Sequence, residues 1–480
     1  MAYERSVIPV VVFLSACALS ASCGNEPEPP DAATGGTAPS SGGTAVTGGT
    51  SSGGAASGGL FTGGKASGGT ATGGNATGGS AAATGGSGPT GGSAGSCGRP
   101  VGSCTAPTTN VATVNLGFSV PAGPGTSDTG NVSLAIAAMP NGHSRLAALG
   151  TDGNIRIAEL DCNDQLVGTP FTIPGIDLQD IIADANGGVV LLTRNATNGG
   201  TDQCGSGQLC GGTSSPCRTM WMVRFDGSSV TWSTQVTNLS SSLAGYQNGA
   251  RFIWWYQHHG RLAFSGTNYA AIFGVAITVN NGSCVDIHEG DRLQIVSSSG
   301  ALVSSGSVEV CMSHAWTSRI LWDSRTSKFM TTDATDNNCR IVIASSGTTI
   351  ASGTCDGHLF NGDLVKSTTT GYWNAWAQTS TRLSHFTTGA ADQTISNAAN
   401  SEHPHLVSYG ANNMLLVWGS GSSQAAQVRS AGDGSLIGSQ FTIAVADQPY
   451  YAYKAYDDGS VAYPSGSGTA VKIARVMPCN

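Results

Sequence analysis

The chain has 480 residues, 69 of them Gly, and its 21 Lys plus Arg against 29 Asp plus Glu give a formal net charge of −8 with only 10% of residues charged. That length suits roughly two or three ordinary domains, or one large all-β domain behind a segment that is not a domain. So few cations on an acidic chain leave no electrostatic footprint for a phosphate backbone or an anionic membrane surface, so nucleic acid is not an expected partner.

Arg5 precedes an apolar run over 7–14, followed by Ser15, Ala16 and Cys17 and then by a second small-residue cluster, Ser20, Ala21, Ser22 and Cys23. A basic start, a short apolar core and a small-residue exit describe a secretory signal over 1–22, too short to cross a membrane. With Cys at its exit the segment resembles a bacterial lipoprotein signal, through Leu14-Ser15-Ala16-Cys17 or through Cys23 with its longer apolar approach. That resemblance implies lipid attachment at Cys17 or Cys23, export across the inner membrane, and an outer-membrane or cell-surface location. A plain cleaved signal with incidental cysteines is the alternative. No later segment reaches 18 uninterrupted apolar residues, so membrane contact is expected through lipid alone.

The next stretch, 23–109, reads as a linker whose core, 33–96, is almost wholly Gly, Ser, Thr and Ala. Gly-Gly pairs recur through it, as in Thr72-Gly73-Gly74 and Thr77-Gly78-Gly79. So few side chains cannot offset the entropy of ordering, and random-coil scaling gives such a stalk a span of roughly 45 Å. Thr-Gly-Gly stalks of this kind are similar to those on myxobacterial envelope lipoproteins. The resemblance covers only this low-complexity part and speaks to compartment.

A repeat organises 110–480. Its unit is an apolar strand, a tight Gly or Asn turn, a second apolar strand, a loop, a third strand, a turn and a weaker fourth strand. Second strands read at 145–150, 188–193, 261–266, 328–333, 371–376, 413–418 and 460–464, and third strands follow at 154–158, 220–225, 292–296, 339–343 and 471–476. Fourth strands come after Asp226-Gly227, Ser299-Gly300 and Asp433-Gly434, which carry β-turn chemistry. Period-two alternation without a useful helical period makes the domain all-β. Seven four-stranded units predict a seven-bladed β-propeller, with other blade numbers or a two-sheet sandwich as alternatives. The seventh unit ends after its third strand at Cys479, while 110–120 is an orphan strand ahead of the first unit. Placing the orphan as the missing outer strand closes the ring as an N-terminal clasp.

This topology sorts connections onto two faces. If first strands descend from the upper mouth of the channel, turns such as Pro140-Asn141-Gly142 lie below, and the longest loops, 195–218 and 266–291, lie above. Long loops on one face of a rigid scaffold mark it as the recognition face, with the stalk joining the opposite one. A secreted chain with 13 Cys is expected to form disulfides. Cys284 with Cys311, and Cys339 with Cys355, hold corresponding places and are expected to pair above. Cys479 is expected to meet Cys97 or Cys104 below, with Cys162 for the remaining one. Cys204, Cys210 and Cys217 share one loop, read as a staple with a leftover thiol and not as a metal site.

Three consecutive units begin their first strand with His314, His358 and His403, with His405 two residues on, and the next unit has Asp447-Gln448-Pro449 at that place. If their side chains converge at the mouth, His314, His358, His403 and Gln448 are a ligand set for one divalent metal ion, within reach of His288, Glu289 and Asp291. The arrangement is similar to that of oligogalacturonate lyases, seven-bladed propellers with a His-rich metal centre. The match is one of fold and covers no continuous motif, so a shared reaction is not implied. The competing reading is that these His cap blades by bonding neighbouring backbone. Trp254, Trp255, Tyr256, Tyr372, Trp373 and Trp376 read as blade packing, whereas Tyr450, Tyr451 and Tyr453 lie nearer the mouth and read as ligand candidates. Arg319 and Lys454 stand on first strands, where a charge needs a partner and can anchor an anion.

Two functions follow. One is a monomeric, lipid-tethered binding module presenting its upper face to a glycan, peptide or protein. The other is a metal-dependent polysaccharide lyase or hydrolase using the His set, with Tyr451 or Lys454 as base and Arg319 holding a carboxylate.

Overall fold

The computed structural model describes residues 97–124, 132–194, 202–203, 208–209, 216–217, 219–237, 251–253, 260–281, 284–310, 317–335, 340–354, 359–399 and 403–480, with backbone alone at 202–217, 251–253, 275–291, 308–310 and 397–399. Cys17, Cys23, the Gly-rich stretch 33–96, His314, His358, Cys311, Cys339, Cys355 and Trp254 to Tyr256 lie outside the described residues.

The described strands form seven blades and one small two-stranded sheet. The innermost strands are Leu134–Ala138, Asp180–Ala183, Arg261–Phe264, Ser318–Asp323, Phe360–Lys366, His405–Tyr409 and Lys454–Ala455. Each lies beside the next around a ring, and that of the seventh blade returns to the first. The clasp is the strand Thr109–Val120, antiparallel to Gly468–Val476, with Ala112 opposite Ile473 and Val114 opposite Val471. Its alternation explains the placement: Ala112, Val114 and Leu116 are buried while Thr113 and Asn115 between them are exposed. The orphan strand thus supplies the fourth strand that the C-terminal unit lacks.

Apolar faces of successive blades pack into each other. Val190, Leu192, Met220 and Met222 of the second blade meet Leu262, Tyr269 and Phe273 of the third. Trp373 and Leu383 of the fifth meet Leu406, Met414 and Leu416 of the sixth. Tyr372, Trp373 and Trp376 are all buried, which is the packing role the sequence assigns them. Polar latches cross the second–third and fourth–fifth seams near the lower rim. Asp184 accepts from Tyr269 Oη at 2.5 Å and from Arg224, and Asp323 accepts from Tyr372 Oη at 2.7 Å and from Arg325. These donors hold both aspartates below the usual carboxylate range despite burial, which pulls the other way. Between the seventh blade and the first, Arg475 forks onto Asp164, Nε to Oδ2 at 2.8 Å and Nη2 to Oδ1 at 2.5 Å, with its guanidinium 4.2 Å from the Tyr456 ring centroid.

The third blade departs from the sequence reading. Arg261–Phe264 is its first, innermost strand and not its second, and 266–291 is not a loop. It is most of a hairpin of two 14-residue strands, Asn268–Asn281 and Cys284–Ser297, paired from Asn268 opposite Ser297 to Asn281 opposite Cys284. The strand Asn268–Asn281 is twice a usual strand's length: its lower part pairs with Arg261–Phe264 and its upper part runs past that inner strand toward the upper face. Two other segments join it there. Arg251–Ile253 pairs with 276–278, and 208–209, from the long loop of the second blade, pairs in parallel with 284–285.

Residues 97–108, linker by composition, are fastened to the lower face. Cys97 is bonded to Cys162 and Cys104 to Cys479. Arg99, 8% exposed, donates to Asp458 at 2.7 Å and to the Gly142 carbonyl at 2.8 Å, both in lower turns. The chain therefore enters the propeller on the face opposite the hairpin.

Candidate functional site

The channel gathers charge from five blades. Asp180 comes from the second, Arg261 from the third, Arg319 from the fourth, Asp363 from the fifth and Lys454 from the seventh. Asp363 owes its orientation to a bulge: pairing steps from Asn361 opposite Trp376 to Leu364 opposite Asn374, so Gly362 and Asp363 together face one partner residue. A side chain at Gly362 would run into the Pro404 carbonyl, so the bulge requires glycine there.

Lys454 Nζ donates to Asp180 Oδ1 at 2.7 Å, and the Leu262 amide donates to Asp180 Oδ2 at 2.9 Å. Arg319 Nε lies 3.1 Å and Arg261 Nε 3.6 Å from the same oxygen, Asp363 Oδ1. Arg261 Nη2 also donates to the carbonyls of Tyr450 and Tyr451, at 2.9 and 3.2 Å. Burial first, and then repulsion from Arg261, push Arg319 down to about 9, still a cation at neutral pH. Asp333, behind Arg319 on the second strand of its blade, is pushed up to about 7 by burial, which Ser318 and Arg319 only partly offset. A narrow cleft opens at this level between the first, second, third and seventh blades. It has 180 Å³ of empty space including its open side, and Gln179, Asp180, Arg261, Tyr450, Tyr451 and Lys454 line it.

Arg319 and Lys454, singled out as charges needing partners, have them in Asp363 and Asp180. Those two aspartates were missed, although both stand on first strands. Tyr451 is 1% exposed and burial pushes it up to about 12, so it stays a phenol at neutral pH and is poorly suited to act as a base. Tyr450 and Tyr453 are likewise buried, at 1% and 5% exposure, and Tyr453 stacks on Tyr463 with ring centroids 4.5 Å apart. Of these tyrosines, read as ligand candidates, all three are buried, and Tyr450 and Tyr451 line the cleft.

Of the proposed metal ligands, His403 and Gln448 are described. His403 sets its ring against Phe360, centroids 4.2 Å apart; its Nε2 is buried without a hydrogen bond, and burial pushes it down to about 4. The Gln448 amide N–H donates to Tyr463 Oη at 2.8 Å, and its side chain lies against Gly123, just beyond the clasp. His405 is fully buried, its Nε2 2.9 Å from Asp447 Oδ1, an oxygen that also accepts from Gln424 at 3.0 Å. His288, Glu289 and Asp291 fall within the strand Cys284–Ser297, in its upper part where backbone alone is described. Cys284 is the first residue of that strand, whereas its expected partner Cys311 lies beyond the described residues. Among the described residues, the grouping with three metal-ligand atoms within 4.8 Å of one another is Cys97, His143 and Cys162 on the lower face, and two of these are joined as a disulfide.

No family model and no curated protein matches the chain. Solved structures do. The crystal structure of the mitotic checkpoint complex aligns at 10% identity over 79% of this chain and 97% of that one, with a TM-score of 0.42. The WD40 domain from Toxoplasma gondii coronin aligns at 9% identity over 79% and 88%, with a TM-score of 0.44. The α-L-arabinofuranosidase Arb93A from Fusarium graminearum, in complex with an iminosugar inhibitor, aligns at 8% identity over 76% and 97%, with a TM-score of 0.40. At these identities and TM-scores the matches carry no functional argument, and the chain's own strand pairing makes it an all-β, seven-bladed propeller.

Proposed function

We propose that this protein is a secreted, lipid-tethered binding module whose upper face takes an extracellular glycan, peptide or protein. The observation that carries the reading is the hairpin 268–297, which stands above the mouth on the face opposite the entry of the chain at Cys97. Nine residues of each strand lie past the level where Ile272 pairs with Arg261, from Phe273 opposite Arg292 to Asn281 opposite Cys284. At the rise of a β-strand that is roughly 30 Å of ladder. A sheet that long would be an edge liability if it served packing alone. The channel argues against chemistry as the main role, because Lys454 and Arg319 are tied to carboxylates and Tyr451 is held protonated.

A photoreactive phenylalanine derivative at Asn281, at the hairpin tip, is expected to capture the ligand covalently in cells producing the full chain. The same group at Val167, exposed on the rim, is not. Equal capture from both positions, or capture from neither, removes the reading.

The metal-dependent lyase or hydrolase is kept as a second reading because His403 Nε2 is a buried ring nitrogen without a hydrogen bond. With His314, His358 and Gln448 it would hold a divalent ion that polarises a carboxylate-bearing sugar. Purified full-length protein without a stoichiometric divalent ion, or with an ion that survives His314→Ala with His358→Ala, removes this reading.

A further inference from the structure

The lower face brings two sulfurs and an imidazole to one point. Cys97 Sγ, Cys162 Sγ and a ring nitrogen of His143 all lie within 4.8 Å of one another, and the three residues are half-buried. They come from three segments: the entry of the chain, the turn between the first and second strands of the first blade, and the turn between its third and fourth strands. Each segment is held by contacts other than the disulfide. Arg99 fixes the entry by donating to Asp458 and to the Gly142 carbonyl, at 2.7 and 2.8 Å. The His143 amide donates to Asn141 Oδ1 at 3.1 Å. Asp161 Oδ1 accepts from the amides of Asn163 and Gln165, at 2.8 and 2.9 Å, which closes the turn carrying Cys162. Gly142 has φ +81, and a side chain there would meet Cys97 Sγ at 2.7 Å, so the turn admits the sulfur because glycine precedes the histidine. Opening the disulfide therefore leaves both sulfurs beside the imidazole. The second bridge is better shielded, with Cys104 and Cys479 only 6% and 2% exposed, so a small reductant reaches Cys97–Cys162 first.

We propose that Cys97, Cys162 and His143 form a site for one thiophilic divalent cation such as zinc, closed while the disulfide stands and opened by a small-molecule thiol. Two thiol molecules pass two electrons and two protons to the bridge and leave as their own disulfide, so Cys97 and Cys162 become thiols. Metal binding then releases one proton from each thiol to solvent, and the two thiolates balance the charge of the ion. Two sulfurs and one nitrogen select zinc over calcium or magnesium, which take oxygen ligands. His143 Nδ1 is buried and makes no hydrogen bond, while Glu159 Oε1 stands 3.5 Å from it and Glu159 Oε2 is held by Arg145 Nη1 at 2.6 Å. A small turn of the ring lets that carboxylate orient the imidazole, as carboxylates beside metal-bound histidines do. The fourth tetrahedral position is left to water. This face is opposite the hairpin, so the site stands or falls apart from recognition above.

The test titrates zinc, against a chromophoric chelator, into full-length protein that is either oxidised or reduced with a phosphine then removed without oxygen. Reduced Cys97→Ser, Cys162→Ser protein, titrated alongside, subtracts ions held by the other cysteines. Reduced wild type is expected to bind one zinc per chain more than that variant, and oxidised wild type to lack that ion. His143→Ala, with both thiols kept, is expected to weaken the added site at least about tenfold, since changing a group that only supports a ligand already costs that much. Glu159→Gln is expected to weaken it about tenfold with the zinc count unchanged. Equal zinc counts in reduced wild type and the double variant overturn the proposal. So does an added ion that oxidised wild type already holds, or one that His143→Ala holds as tightly as wild type. The His143→Ala arm carries the test if the double variant fails to fold.

Discussion

Ring closure places the clasp segment against the C-terminal strand, and the Cys104–Cys479 disulfide is where that closure can be measured. The bridge spans 375 residues and Cys97–Cys162 spans 65. In the chain-entropy description, a cross-link removes freedom from the unfolded chain in proportion to the logarithm of the loop it closes. That gives about 6 kcal/mol for the longer loop and about 4 kcal/mol for the shorter, with measured values commonly smaller. The difference, about 1.5 kcal/mol, is better founded than either total because the constant term cancels. Native geometry around the long bridge persists without sulfur. Gly102 donates to the Pro478 carbonyl at 2.8 Å, Met477 to Thr108 at 2.9 Å and Asn480 to Gly102 at 3.2 Å. A Cys104→Ser, Cys479→Ser double variant should therefore fold to the same ring and lose stability through its unfolded state. Urea unfolding of the full chain, followed by tryptophan fluorescence without reductant, should show a larger midpoint loss for this pair than for Cys97→Ser with Cys162→Ser. Equal losses, or a larger loss for the short loop, would refute the argument that the clasp closes by restraining a long loop.

Three further outcomes follow from particular contacts. Tyr372→Phe deletes the hydroxyl that donates to buried Asp323 across the seam between the fourth and fifth blades, and should cost roughly 1–3 kcal/mol in urea midpoint analysis. Gly438 has φ +71, and a side chain there would run into Thr105. Gly438→Ala should loosen 97–108 and speed hydrogen exchange of the Gly102 amide, which donates to the Pro478 carbonyl, relative to the wild type. Asp333 has its folded pKa raised to about 7, above the unfolded value, so the folded state holds the extra proton between about pH 4 and 7. Its contribution is fully present at the acid end and is lost as pH rises through 7, so the wild-type midpoint should fall over that range relative to Asp333→Asn. A difference between the two that stays flat with pH would show that the carboxyl is not held neutral.

The ring could be read in the sequence because each blade repeats the same local chemistry. Turns such as Pro140-Asn141-Gly142 and Asp457-Asp458-Gly459 punctuate strands of ordinary length, and the missing fourth strand at Cys479 matched an unpaired strand at the other end. The third blade failed for a physical reason. Inner and second strands are both short, buried and apolar, so Arg261–Phe264 carries no mark of which it is. Its neighbour runs past the blade to 14 residues, a length at which strand and loop cues mix, since Asn280, Asn281 and Gly282 near the tip resemble an ordinary loop. The channel was half legible. Arg319 and Lys454 stand out as charges on first strands, but which carboxylate each one meets depends on ring order and on the bulge at Gly362–Asp363. Lys454 and Asp180 are 274 positions apart, a distance over which spacing carries no information. Tyr450, Tyr451 and Tyr453 misled because closeness to the mouth along the chain does not distinguish a ring facing the opening from one packed beneath it.

The upper structures are connected in a way that bears on recognition. Blades two and three are neighbours in the ring, and each carries a long insertion between strands on the same face. The parallel pairing of 208–209 with 284–285 joins the insertion of one to the hairpin of the other. Arg251–Ile253 borders that hairpin on its other strand. The same connection then runs down to Arg261, whose guanidinium holds the carbonyls of Tyr450 and Tyr451 on the far side of the channel. Backbone hydrogen bonds thus tie the segments above the mouth to each other, and a short stretch of chain ties them to a channel cation. Arg261 is separated from the hairpin-paired Ile253 by the seven positions 254–260. Such a span transmits displacement only if its ends are held, and both are: one by the hairpin ladder, the other by strand pairing of Arg261 with Ile272. The upper face and the charge in the channel therefore share a support, the strand Asn268–Asn281, which pairs with Arg251–Ile253 near its tip and with Arg261–Phe264 near its base.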